Sequence, residues 1–325
     1  MYEILCLNKV NNSVNQVEIS NVQELLADKN NVLWIDLENP HNVWPDEAEL
    51  NLLQNILNIH RLSIEDCVSE RLQPKLEDCE NYLFLILYSL KYENKLNFKG
   101  LKLFLGSNFI ISYRHEKIDD VEIIKNNFKS RLNHSCSDAI DIFHSIIDHF
   151  IDGYLPIIDK FDIQIGKFEE ILFKNPFNTK IIKYLNAIRE PMNVARQIIV
   201  LENEIFYNII KNQYSLIPDD KKIYFRDIFD HLERDLTKIE NLKESISNLL
   251  QMQMNINTQN LSEIMKFLTI ISTIFLPANV IAGIFGMNFV KLPFINSSYG
   301  HIFAFSLMIV FALTMIIYFK KRKWV

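Results

Sequence analysis

Two uncharged apolar runs near the carboxyl terminus constrain this chain more than any other feature in it. FLTIISTIFLPANVIAGIF, from Phe267 to Phe285, reaches about 28 Å as a helix at about 1.5 Å per residue, close to the hydrocarbon thickness of a bilayer. IFAFSLMIVFALTMIIYF, from Ile302 to Phe319, does nearly the same. Buried core helices can be as apolar. Lys266 ahead of the first run and Lys320, Lys321, Arg322 and Lys323 behind the second fit spanning helices better. The basic tail, residues 320–325, marks the cytoplasmic end of the second span, so the first span also begins inside. Both termini are then cytoplasmic, in the inner (cytoplasmic) membrane of a bacterium, and Gly286 to His301 forms the outer loop.

Charge divides the chain in the same way. No Asp or Glu follows Glu263, and the six basic residues beyond it leave 28 basic against 40 acidic residues in positions 1–265, a net −12. An acidic body joined to a basic-flanked apolar tail points to a membrane or to cations, and not to nucleic acid. Cys6, Cys67, Cys79 and Cys136 show no CxxC pairing and read as reduced thiols. The amino terminus has neither the apolar core of a signal peptide nor the Arg-rich character of a presequence.

Within the first span, Gly283, Asn279, Leu276, Ser272, Leu268 and Met265 recur at three or four residues and share one helical face. Lipid cannot satisfy Asn279 or Ser272, so this face should meet protein or water. Two readings stand: it packs on the second span, or several copies enclose a pore. From Ile228 onward, Leu232, Ile239 and Ile246 keep a spacing of seven, interleaved with Leu236, Leu242 and Leu249, as in a coiled-coil seam. No Gly or Pro interrupts before Pro277, so Asp227 to Phe285 can form one helix of about 88 Å; a break around the polar MNINTQN is the alternative. Nearer the start, VLWIDLENP reads as a buried strand and AELNLLQNILNIH as a helix. The expected organisation is an α+β membrane protein: a cytoplasmic α/β domain over 1–136, a helical arm over 137–216, a stalk helix over 217–266, spans at 267–285 and 302–319, and the loop 286–301 between them.

The segment EIMKFLTIISTIFLPANVIAGIFGMNF, with YFKKRKWV at the end, resembles the membrane region of CorA-type magnesium transporters, whose hallmark is Gly-Met-Asn, here Gly286, Met287 and Asn288. LWIDLENP, HRLSIEDC, QPKLEDCENYLFLIL, IDGYLP and YFRDIFDH resemble that family's soluble domain in the same order, so the likeness covers nearly the whole chain. It implies a funnel-shaped homopentamer with an α/β/α sandwich domain, whose first spans line a pore for Mg2+, and for Co2+ and Ni2+, moving down their gradient. Asn288 would present amide oxygens to a hydrated ion, and Asn279 a second polar ring. Leu276 and Leu268 would form apolar constrictions that close by dewetting. Asp227 matches a carboxylate that helps bind regulatory Mg2+ between neighbouring cytoplasmic domains, with Glu93 as its candidate partner.

The chain departs from family habit at Phe285, where tyrosine is common, at Lys291 in an outer loop without acids, at Gln251 and at Asn279. A related branch that moves Zn2+, in some cases coupled to protons, is the alternative transporter. A membrane-anchored divalent-ion sensor without transport is the alternative from another class. His60, His115, His134 and His144 are scattered and form no nucleophile constellation, which argues against an enzyme.

Overall fold

The computed structural model describes residues 2–40, 44–69, 73–93, 95–130, 138–175, 180–287 and 299–324. Contacts gather Met1–Ile171 with Thr179–Asn248 in one unit, and Leu172–Asn178 with Leu249–Val325 in a second.

A seven-stranded sheet forms the heart of the first unit. Its strands are β1 (Tyr2–Asn8), β2 (Ser13–Gln16), β3 (Asn31–Glu38), β4 (Lys75–Cys79), β5 (Tyr82–Tyr92), β6 (Leu96–Leu105) and β7 (Phe109–Arg114), in the order β2-β1-β3-β7-β6-β5-β4. β3 and β7 pair in parallel and every other pair is antiparallel. β3 and β5 are continuous apolar runs rather than alternating ones. Both sets of their side chains are buried, so both faces of the sheet are covered. The helices of this unit are α1 (Val22–Ala27), α2 (Glu47–Leu50), α3 (Arg61–Val68), α4 (Asp119–Ser130), α5 (Ala139–Asp152), α6 (Leu155–Lys174) up to Ile171, α7 (Lys180–Lys211) and the first part of α8 (Lys222–Phe285). α2 runs on into a π-helical stretch, Asn51–Ile56, so the helix expected over residues 48–60 ends early. α5, expected to open the helical arm, lies along β3, β5, β6 and β7, and α7 lies along β4 and β5.

Two buried polar groups tie these layers together. At the carboxyl ends of β3 and β7, Asp36 accepts hydrogen bonds from Ser112 Oγ (2.7 Å), Arg114 Nη2 (2.8 Å) and Lys125 Nζ (2.6 Å). All three charged side chains are under 6% exposed. Elsewhere, Glu202 on α7 accepts the Tyr88 amide of β5 at 3.1 Å and lies 2.8 Å from Tyr154 Oη, which also contacts the Tyr88 carbonyl. One phenolic proton cannot serve both acceptors. A protonated Glu202 closes the ring: its acid O–H donates to Tyr154, and Tyr154 donates to Tyr88. Complete burial accordingly pushes the Glu202 carboxyl up to about 8.

α8 runs unbroken over 64 residues, beginning five residues before the expected Asp227, and the break around MNINTQN does not occur. The Thr258 hydroxyl donates to the Met254 carbonyl at 3.0 Å, so part of that polar stretch is satisfied within the helix. The expected seam is buried within the chain at Leu232, Ile239, Leu242, Ile246 and Leu249, but Leu236 is only half-buried and Asp235 takes its place on the covered face, which Phe225 and Ile228 continue toward the start of α8. Ion pairs flank it, Lys238 with Asp159 of α6 and Glu240 with Arg196 of α7. The second unit holds the remainder of α8 and α9 (Gly300–Lys321). These two helices are long and apolar enough to cross a membrane.

Candidate ion pathway and metal centre

Exposure sorts the faces of the first span. Met265, Leu268 and Leu276 are 67%, 62% and 64% exposed, and Ser272, Asn279 and Gly283 are exposed beside them. The covered residues are Ile281, at 8% exposure, with Ile270, Ile274, Pro277 and Phe285 half-buried, flanked by half-buried Thr273 and Ala278. At 100° per residue the two sets point about 180° apart. The covered side is the side of α9, since Ile270 lines one cavity with Ile316 and Phe319. The polar stripe therefore does not pack on the second span of its own chain. Thr269 and Thr273 donate to carbonyls four residues back, both at 2.7 Å, which satisfies hydroxyls that lipid could not. Ser272 and Asn279 stay on the open face.

The helix ends where the motif begins. Gly286 N–H still donates to the Ala282 carbonyl at 2.9 Å, and a Cβ there would come within 3.0 Å of that oxygen, so glycine relieves a tight approach. Met287 N–H donates to Ile284 at 3.3 Å, and its side chain is 48% exposed. Asn288 and Lys291 lie outside the described residues.

The regulatory candidate Asp227 falls beside a carboxylate and histidine cluster. α5 packs on the first turns of α8 through Phe143 and Phe225, and through the ion pair of Asp141 with Lys221 (2.5 Å). This brings His144, Asp148 and Asp152, spaced at four on α5, to Asp227 and His231, spaced at four on α8. Ligand atoms of Asp148, Asp152 and His231 all lie within 4.8 Å of one another. His231 Nδ1 is 3.2 Å from Asp152 Oδ1, and Nε2 is 3.8 Å from Asp227 Oδ1. Burial raises the Asp148 carboxyl and lowers His144; each opposes the shift of the other, while the carboxylates of Asp152 and Asp227 push Asp148 up further. A cavity of about 160 Å³ touches Asp148 and Asp152. Two carboxylates, with Asp227 beside them, suit a hydrated Mg2+, and the imidazole adds a ligand that Co2+, Ni2+ or Zn2+ accepts readily. Glu93, exposed just past β5, is not part of this cluster among the described residues. Asp148, Asp152 and His231 were not candidates by sequence. Their spacing of four is ordinary in amphipathic helices, and His144 read as one of several scattered histidines.

Fold and faces define a class: a membrane protein whose mixed α/β body shares one long helix with a two-span segment, the first span keeping a polar stripe turned away from the second. The family model for the CorA-like Mg2+ transporter protein matches residues 29–321. The chain belongs to that family of divalent cation transporters, which are not enzymes. It is 28% identical to the cobalt/magnesium transport protein CorA of Thermotoga maritima, over 99% of this chain and 92% of that protein. It is 20% identical to the zinc transport protein ZntB of Yersinia pseudotuberculosis, over 90% and 87%. The complete CorA magnesium transporter of Methanocaldococcus jannaschii superposes with a TM-score of 0.82 at 16% identity, covering 100% of this chain and 99% of that one.

Proposed function

We propose that the chain is a passive, channel-like Mg2+ uptake protein of the bacterial cytoplasmic membrane, working as a homopentamer that cytoplasmic Mg2+ closes. The observation that carries this reading is the opposition of faces in the first span. A stripe that holds Asn279 and Ser272 yet avoids the second span needs other copies of itself. Around an axis, the stripe lines a path and α9 lies outside it.

Mg2+ releases its inner waters reluctantly and demands near-octahedral ligands, so a path that accepts the hydrated ion avoids a large dehydration cost. Rings of Asn288 and then Asn279 offer amide oxygens to those waters without a fixed charge to trap the ion. Gly286 and Met287 shape the outer end, Gly283 leaves width between the two rings, and Leu276, Leu268 and Met265 form apolar constrictions that conduct only when wetted. Asp227 is the regulatory ligand, supported by Asp148, Asp152 and His231, with Glu93 supplied by the neighbouring subunit. Because α8 carries both Asp227 and the stripe, occupancy of the metal site would bias the path through one continuous helix.

Purified protein in liposomes should take up Mg2+, and Asn288→Ala should abolish uptake; undiminished flux in the variant rejects the filter role. His231, within the cluster, favours a second reading as a Zn2+ carrier of the related branch. Competitive uptake of Mg2+, Co2+, Ni2+ and Zn2+ with and without an imposed proton gradient separates the two, since only the proton-coupled carrier gains from the gradient.

A further inference from the structure

The face of α8 that meets α9 leaves a cavity of about 620 Å³ at the cytoplasmic end of the spans. Phe267, Ile270, Ile316 and Phe319 form its apolar wall. Trp324 closes one side, its ring stacked on Phe319 at 5.6 Å and still 41% exposed. Glu263 and Lys266 are the charged members of the wall. Lys320, Lys321, Arg322 and Lys323, all exposed, follow directly on Phe319 and precede Trp324. Lys266 thus lines an apolar slot that holds one carboxylate, and four further cations lie in the chain between two of its lining residues, Phe319 and Trp324, at the depth where Lys266 and the basic tail mark the headgroup layer. A tryptophan with its body on an apolar surface and its N–H toward water is at home at that depth.

We infer that this cavity holds an anionic glycerophospholipid, one acyl chain against the apolar wall and the phosphodiester on Lys266 and the basic run. The inference rests on the pore reading in one respect: with the stripe facing the axis, the cavity opens toward the bilayer. Charge complementarity selects the occupant. A zwitterionic lipid gains little from five cations, whereas each Lys or Arg near the surface favours an anionic headgroup.

The test uses the full-length protein in nanodiscs of phosphatidylcholine with a minor fraction of phosphatidylglycerol, the acyl bromines placed on one lipid or the other. Bromine quenches indole on contact, and Trp324→Phe identifies the part of the signal that belongs to Trp324. Brominated phosphatidylglycerol should quench as though enriched at Trp324, and Lys266→Ala should lower that enrichment by about fivefold. Ile270→Trp fills the slot without changing charge and should also abolish the selectivity. Equal quenching by both lipids in the unaltered protein overturns the inference. So does selectivity that survives Ile270→Trp, because the tail then attracts lipid diffusely. Mg2+ uptake is measured on the same preparations. Uptake without lipid selectivity rejects this site alone, and lipid selectivity without uptake rejects the pore reading and leaves the site.

Discussion

Glu202 provides a quantitative check on the soluble unit. Its native carboxyl is raised to about 8 from an ordinary 4.5, chiefly by complete burial. The native state therefore keeps a proton that the unfolded chain loses above pH 4.5. Stability from this group is fully present below 4.5 and declines as pH rises toward 8. Between pH 6 and pH 8 the decline comes to about 2 kcal/mol by linkage. For a unit of this size that is roughly 4–8 °C in Tm. Glu202→Gln is the informative perturbation. Its amide oxygen can accept the Tyr88 N–H and its NH2 can donate to Tyr154, so the ring keeps its proton count without a titrating group. The charged groups around the ring are few; Asp235 of α8 acts on Tyr154, and it is present in both proteins. Thermal unfolding of the solubilised full-length protein at pH 6, 7 and 8 should show a steeper pH dependence in the original chain than in the variant, which keeps only the part due to shared groups such as Asp235, pushed up to about 6 by burial. A difference between the two proteins that stays constant from pH 6 to 8 would refute the neutral acid.

Other outcomes follow from the same geometry. Asp36→Ala should cost about 1–3 kcal/mol in denaturant unfolding, because it removes the buried carboxylate that Ser112, Arg114 and Lys125 share, while Glu122 still pairs with both cations. Asp227→Lys should remove the protection against protease that Mg2+ confers on the original chain, and Asp148→Asn should raise the Mg2+ concentration needed for it. His231→Asn should weaken protection by Co2+ by about tenfold or more while moving Mg2+ protection much less, since imidazole is a ligand the harder ion values little. Equal shifts for the two metals would count against His231 as a ligand.

The elements that read clearly in the sequence are those whose pattern is local. The two spans follow from uncharged apolar runs, and the seam from Ile228 to Leu249 and the stripe from Met265 to Gly283 from periodicity along one helix. β3 was visible as an uninterrupted apolar run for the same reason. What escaped was made by packing between distant segments. Nothing in HSIIDHFID separates His144, Asp148 and Asp152 from an ordinary polar face until α5 docks on Asp227 and His231. Tyr154 and Glu202 meet across 48 residues, and Tyr88 and Glu202 across 114. The π-helical turn after Leu50 breaks a pattern that looks helical throughout, because leucine and isoleucine spacing does not register one inserted residue.

The faces of the first span also decide what a cation would meet in the proposed ring. The stripe from Met265 to Gly283 occupies roughly 80° of the helix circumference. Lys266 points about 120° away from the centre of that arc and Glu263 about 180° away, both on the side of α9. Lys320 and Lys321 end α9, and Arg322 and Lys323 follow it. In the proposed ring Lys266 would thus stand behind the path and not across the way of an ion that leaves for the cytoplasm. No acidic residue lies beyond Glu263 to hold that ion either. In the proposed ring a divalent cation would meet amide and hydroxyl dipoles and apolar side chains, which favours weak binding of a hydrated ion and fast release. Placing one carboxylate on the stripe, as in Ser272→Asp, should therefore slow Mg2+ flux by trapping the ion; the same carboxylate at Ile274, on the α9 side, should disturb packing without creating an ion site.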